Sequence, residues 1–334
     1  MKPSHDDVLL SVQDLHVQYD TDAGTVYAVT GLDLEIQRKH TVALVGETGA
    51  GKTTTALSIL NLVPNPPGVI TKGTILLDGQ NILEFGAEEL QKMRGNDVAM
   101  IFQDPMTALN PVMTVGEQIA ESIALHNDVS ESEAMKRAKN MLRLVGIDDG
   151  RAGEYPHQFS GGMRQRVVIA IALACKPRLL IADEPTTALD VTIQAQQLVL
   201  IKDLITNGGM SMLLITHDLG VVAETSDDVA VMYSGRIVER GTTAEVFNDR
   251  LHPYTQGLFN SLPNLRKQGE ELQPIKGMMP NPMERIVGCP FAPRCEHVMD
   301  RCLKEEPVLK EQGGTHAVAC HLYDDSTAKD GLHG

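Results

Sequence analysis

Apolar and polar positions alternate from Leu9 to Tyr19, which puts Leu15, Val17 and Tyr19 on one face of a half-buried strand. A second strand, TILLDG, ends on an Asp-Gly pair that marks a tight turn. Between them, TVALVGETGAGKTTTALSIL reads as an apolar strand, a glycine-rich loop and a helix-forming run. In SESEAMKRAKNMLRLVGI (residues 130–147), Ser130 and Glu133 make a capping box. Ala134, Ala138, Met141, Leu142 and Val145 then share one helical face. LLIAD (179–183) and MLLIT (212–216) are short apolar strands followed by polar residues. Strands of this kind, alternating with helices, predict an α/β fold whose parallel core sheet is covered on both faces. Past about residue 245 the proline content rises, periodicity weakens and four cysteines appear, so a boundary is expected between 1–245 and 246–334.

A chain of 334 residues suffices for one large domain with a smaller appendage. The opening MKPSHDDVLLSVQD has no apolar stretch behind its lysine, so no secretory signal is expected. The longest apolar run, VVIAIALAC from Val167 to Cys175, is about half of what a spanning helix needs. A reducing compartment is the expectation, and there clustered cysteines more often bind metal or do redox chemistry than form disulfides. A formal charge of −15, with no basic run of five or more, argues against a nucleic-acid surface.

The chemistry begins with GETGAGKT, residues 46–53, a full match to GxxxxGK[ST] between an apolar strand and a helix. Gly46, Glu47, Thr48, Gly49, Ala50 and Gly51 would wrap backbone N–H groups around phosphate oxygens, with Thr54 just beyond. Lys52 reaches the β and γ phosphates, and Thr53 offers its hydroxyl to Mg²⁺. Asp183, at the end of LLIAD, can hold that Mg²⁺ through water. Glu184 beside it is the candidate to polarise an attacking water. In FSGGMRQR (159–166), Ser160 can cap the following helix, while Gly161 and Gly162 allow an anion close to its positive end. These residues predict nucleoside triphosphate hydrolysis.

The ordered set Tyr19, GETGAGKT, Gln103 in IFQDP, FSGGMRQR, LLIADEP, TALD and THD resembles the ABC-type ATPases over about residues 8–245. The resemblance implies a P-loop ABC ATPase using ATP and Mg²⁺. It implies a parallel core sheet, an antiparallel β subdomain, a helical signature subdomain at about 105–165 and a loop-rich, Cys-containing C-terminal extension. By it, Tyr19 stacks on adenine, with Tyr27 as a rival, and Gln103 joins Mg²⁺ to the transmembrane subunits. Asp190 matches the D-loop, and His217 the switch histidine on the γ phosphate. Ser160, Gly161 and Gly162 would complete the site of a second ABC ATPase subunit, itself or a paralogue. Where the family usually has glutamine after SGG, this chain has Met163, which cannot reproduce an amide's hydrogen bonds.

The tail narrows the resemblance. HPYTQGLFNSLP (252–263) and CPFAPRC (289–295) resemble the extension of ATPases from dipeptide, oligopeptide and nickel importers. Such proteins sit peripherally on the cytoplasmic side of the inner membrane, on two transmembrane permease subunits served by an external substrate-binding protein. Cys289, Cys295, Cys302 and Cys320 follow the spacing Cx5Cx6Cx17C, without the CxxC pairs of zinc knuckles. Four thiolates suit zinc or an iron–sulfur cluster, spacing alone leaves free, incidental cysteines as a third reading, and the resemblance implies a [4Fe-4S] cluster. Its expected role is a structural staple for the tail, leaving the nucleotide core independent of it. Cys175 reads as a small buried hydrophobe within an apolar helix. Di- and oligopeptides are the expected cargo, with nickel and glutathione as alternatives. A soluble non-transport ABC ATPase and a redox-sensing ATPase are the readings from other classes.

Overall fold

The computed structural model describes residues 7–103, 108–185, 191–261 and 275–324. These fall into two units, the first built from 11–34, 42–75 and the stretch from 217 onward, the second from 35–41 and 76–216 with the residues before 11.

The first unit opens with β1 (Val8–Thr21) and β2 (Gly24–Gln37). The alternation read in the sequence is realised here, with Leu15 and Val17 buried and Tyr19 half-buried. The wholly buried β3 (Thr41–Val45) feeds the glycine-rich loop and the helix Lys52–Ile59. β1 lies between β2 and β4 (Gly68–Leu77). At the far end of β4, Leu76 and Leu77 pair with β5 (Gln80–Asn81) around Asp78 and Gly79. Both turn residues have positive φ, 55° and 79°, the conformation an Asp-Gly hairpin turn demands.

The second unit carries β6 (Val98–Ile101), β7 (Leu179–Asp183) and β8 (Ser211–Ile215), paired in parallel in that order. β7 and β8 are buried along their whole length, which is why they read as continuous apolar runs. The helix Glu131–Leu144 buries the face expected for it: Ala134, Ala138, Met141 and Leu142, then Val145 just past its end. Ser130 caps it by accepting the Glu133 N–H, but the Glu133 carboxylate pairs with Arg137 at 3.3 Å where a capping box would turn it back. Cys175 differs from expectation as well. It lies beyond the last turn of the helix Gly161–Leu173, half-exposed, with its thiol donating to the Ser122 carbonyl at 3.4 Å.

β9 (Asp228–Tyr233) returns to the first unit, parallel to β3, and turns back as the antiparallel β10 (Arg236–Thr242). The tail then contributes β11 (Lys310–Gly313) and β12 (His316–Val318), with β12 pairing antiparallel to β10. The tail also enters the core. Phe291 packs edge-on against Tyr233 at 5.3 Å and lies 5.5 Å from Tyr254, which itself sits 4.5 Å from Tyr233. Each such aromatic pair adds about 0.5–1.5 kcal/mol beyond the apolar area it buries. Val45, Val231 and Val238 belong to the same cluster. Among the described residues, no helix is long and apolar enough to cross a membrane.

Candidate active site

The phosphate-binding loop leaves β3 at Gly46 and enters its helix at Lys52. Gly51 has φ 105°, and a Cβ there would meet the Ala28 carbonyl oxygen at 2.4 Å, so only glycine fits this bend. Lys52 is buried, and its ammonium donates to the carbonyls of Gly46 at 2.7 Å and Glu47 at 3.0 Å, which ties the two ends of the loop together. Thr48, Gly49 and Thr53 are exposed, so the loop's outer rim faces solvent. Beside it, the Tyr19 hydroxyl lies 3.3 Å from the Thr54 hydroxyl. Tyr27 is elsewhere occupied: its N–H donates to the Pro282 carbonyl and the Arg285 guanidinium covers its ring at 5.1 Å. His217, also in this unit, is exposed and directly precedes Asp218, the N-cap of the helix Leu219–Thr225.

The second unit holds the carboxylates. Asp183 ends β7, buried and in register with Ile215 of β8. Glu184 follows with φ 45°, a left-handed conformation that costs a non-glycine residue about 1 kcal/mol or more. Its N–H donates to the Ile215 carbonyl at 2.8 Å, which anchors the turn. The Glu184 carboxylate accepts from the Gln103 amide at 2.9 Å. A carboxylate held on an anchored strand end, with an amide on one oxygen, has a fixed direction in which it could accept a proton.

Ser160 caps the helix Gly161–Leu173, its hydroxyl accepting from the Met163 N–H at 3.4 Å. Met163 is not idle. Its sulfur accepts from Arg151 at 3.4 Å, and Arg151 also stacks on Phe159 at 4.3 Å and bonds the Gln158 carbonyl. The departure from glutamine therefore puts a thioether against an arginine that braces the turn before the helix. Gln197 donates to the Gly162 carbonyl at 3.2 Å from the helix Val191–Gly208. Asp190 lies outside the described residues.

In the tail, Cys289, Cys295, Cys302 and Cys320 all line one cavity, beside Phe291. Gly288, at φ 79°, allows the two cysteine loops to close up: a Cβ there would stand 2.3 Å from the Cys302 carbonyl, which accepts the Cys289 N–H at 2.7 Å. Burial pushes the thiols of Cys289 and Cys295 up, and that of Cys320 to about 12. The neighbouring sulfurs add like-charge repulsion to each, so negative charge on this group calls for a cation among them. Nearby His321 is already committed, with Nδ1 on Asp324 at 2.6 Å and Nε2 on the Glu305 carbonyl at 2.9 Å. Among the described residues, no three or more His, Cys, Asp or Glu side chains are gathered as a ready site for a metal ion. The four thiols share a cavity without converging on a point.

Two residues at the phosphate loop were not singled out by sequence. The Tyr254 hydroxyl accepts the Glu47 N–H at 2.8 Å, and Arg294 grips the Glu47 carboxylate at 2.8 and 3.0 Å while also bonding the Tyr233 hydroxyl at 3.3 Å. Tyr254 and Arg294 lie inside the HPY and CPFAPRC stretches, so their motifs were visible while their target was not. The expectation that the nucleotide core stands apart from the tail is corrected here, because the tail touches the phosphate loop itself.

Residues 29–187 match the ABC transporter family, and residues 238–302 match the oligopeptide/dipeptide transporter C-terminal region. The oligopeptide transport ATP-binding protein AppD of Bacillus subtilis is 49% identical over 323 residues, which covers 96% of this chain and 98% of AppD. The dipeptide transport ATP-binding protein DppD of the same organism is 49% identical over 318 residues, 95% of each chain. Among solved structures, the ATP-binding cassette MJ0796, in a dimeric post-hydrolysis state with ADP and Pi, superposes with TM-score 0.63 at 27% identity. It covers 70% of this chain and 98% of that one. The cbiO1 protein of Clostridium perfringens gives TM-score 0.62 at 30% identity, over 73% and 92%. A P-loop of this geometry, a carboxylate pair at the end of a parallel strand and matches along nearly the whole chain lead to one assignment: the chain is an ATPase of the ABC transporter family, in the branch that carries the oligopeptide/dipeptide transporter C-terminal region.

Proposed function

We propose that this chain is the ATP-hydrolysing subunit of a bacterial ABC importer and powers uptake of di- and oligopeptides. The observation that carries the reading is the match, over 96% of the chain, to a protein named for oligopeptide transport, joined to a tail of the matching type. The working unit is a pair of ATPase subunits, identical or paralogous, on the cytoplasmic face of the inner membrane. It is bound to two permease subunits that receive substrate from an external binding protein, and the dimeric MJ0796 cassette supports the pairing. We assign residues 1–245 to the nucleotide-binding domain, with its helical subdomain at about 105–165, and 246–334 to the extension. Deleting the gene in its host should abolish uptake of labelled di- to pentapeptides and leave nickel and glutathione uptake intact. Unchanged peptide uptake with lost nickel or glutathione uptake would reassign the cargo.

In this reading Tyr19 stacks on adenine and residues 46–54 hold the phosphates. Lys52 bears on the β and γ phosphates, and Thr53, Gln103 and Asp183 serve Mg²⁺. Glu184 is the general base, and His217 contacts the γ phosphate. Ser160, Gly161, Gly162 and Asp190 act on the nucleotide of the partner subunit. What favours Tyr19 over Tyr27 is its hydroxyl's place beside Thr54, while Tyr27 is covered by the tail.

Cys289, Cys295, Cys302 and Cys320 would hold a [4Fe-4S] cluster, with zinc as the alternative. The donor set is four thiols lining one cavity. Four thiolates can ligate either group, and the resemblance of the tail to the importer ATPases is what favours the cluster. When bound, the cluster supplies positive charge and a covalent staple between the Cys289–Cys302 loops and the Cys320 segment. Protein purified without oxygen should be brown with about four irons per chain. Serine at any one of the four positions should lower the iron content and speed proteolysis of the tail, and Cys175→Ser should do neither. Stoichiometric zinc in colourless anaerobic protein would replace the cluster, and the absence of both metals would remove the centre altogether.

A further inference from the structure

The second position of the phosphate loop, Glu47, is an acid where a polyphosphate is to bind. Left alone, its carboxylate would repel the nucleotide. Its charge is met from the tail by Arg294, whose two terminal nitrogens take the two carboxylate oxygens at 2.8 and 3.0 Å. The guanidinium is 5% exposed and the carboxylate 28%, so the pair is largely shielded from water and salt on the arginine side. Fork-to-carboxylate bonding of this type fixes geometry as well as charge. The loop backbone is held from the same side by the buried Tyr254, which accepts the Glu47 N–H at 2.8 Å. On its other side the Glu47 carbonyl accepts from Lys52 at 3.0 Å, so residue 47 links the tail to the lysine that serves the phosphates.

Arg294 has little freedom of its own. It ends the single turn Ala292–Arg294 between Cys289 and Cys295, and its Nε donates to the Lys276 carbonyl at 3.0 Å. Phe291 in the same turn packs on Tyr233 and Tyr254. Cys289 and Cys295 bracket this turn.

We infer that Arg294, with Tyr254, is a positioning residue that sets the phosphate loop through Glu47, so that loading of the cysteine centre raises the affinity for ATP. The first half stands on the contacts alone, and the second rests on the metal-centre reading above. It also changes what the tail is for: the staple holds a strut against the nucleotide loop.

The test uses the full-length chain and MgATP titrations. Arg294→Met should weaken ATP binding roughly ten- to hundred-fold, the scale of a hydrogen-bonded charge pair, with iron content unchanged. In the assembled transporter the KM for ATP should rise by that factor while kcat falls much less. Adding Glu47→Gln to Arg294→Met should restore most of the affinity, since the uncompensated charge is then gone. A tail that had merely unfolded would not be rescued by a change in the loop. Wild-type affinity in Arg294→Met, or failure of Glu47→Gln to restore it, overturns the positioning role. For the second half, removing the metal from wild-type protein with a chelator should weaken ATP binding by a similar factor, and removing it from Arg294→Met should add nothing. Equal affinity in loaded and stripped wild type overturns the coupling. A chain that carries no metal sinks the metal-centre reading while leaving the Arg294 result to be judged separately.

Discussion

Glu184→Gln should bind MgATP about as tightly as the wild type and hydrolyse it at least a hundred-fold more slowly, within the roughly 10²–10⁴ range that a positioned base contributes. The substitution keeps volume and hydrogen-bonding shape, so the turn after β7 should survive. Its anchor, the Glu184 N–H on the Ile215 carbonyl, belongs to the backbone. What disappears is the ability to take a proton. The side chain that bonds this carboxylate, Gln103, offers an amide hydrogen at 2.9 Å and can instead meet the new amide's oxygen, which further isolates the change to basicity. Single-turnover hydrolysis by the assembled complex, with nucleotide affinity measured in parallel, checks both halves. A rate within tenfold of wild type would take the base role away from Glu184.

Lys52→Ala should lose the nucleotide itself, with affinity falling about a hundred-fold and turnover with it. The ammonium is buried and already bonded to two loop carbonyls, so it is fixed before any phosphate arrives. A preorganised charge of this kind gives up little conformational entropy on binding, and its charge-assisted bonds are worth about 1.5–3 kcal/mol each. Alanine also releases the carbonyls of Gly46 and Glu47, which loosens the loop. The contrast with Glu184→Gln is the informative part: one variant traps ATP, the other fails to hold it. Fluorescent-nucleotide titration separates them, and unaltered affinity in Lys52→Ala would overturn the phosphate assignment.

Much of this was legible from residue order. GETGAGKT works through backbone geometry that glycines at set spacings allow, and the bend at Gly51 is a local requirement written in the chain. The helix Glu131–Leu144 and the strands β7 and β8 were equally plain, because burial on one face or on both imprints a period on the sequence. Local reading was weaker at element ends and at contacts with residues distant in the chain. Cys175 was placed within an apolar helix because the helix's composition runs on, but the helix stops at Leu173. Met163, which cannot replace an amide's hydrogen bonds, has a contact that the sequence did not show, its sulfur accepting from Arg151.

The sequence by itself determined the candidates: a phosphate loop, an acid pair at a strand end, a capped helix after SGG and a set of four thiols. Apart from the thiols, which span Cys289 to Cys320, each depends on residues within a few positions of one another, where spacing and geometry are nearly the same thing. Only the tertiary structure decided what the tail touches. β12 lies beside β10 with Val318 opposite Glu239, and Arg294 reaches a carboxylate 247 residues earlier in the chain. No local period records such a pairing, because it is selected by burial and charge complementarity across the folded core, and those act only once the chain has closed on itself.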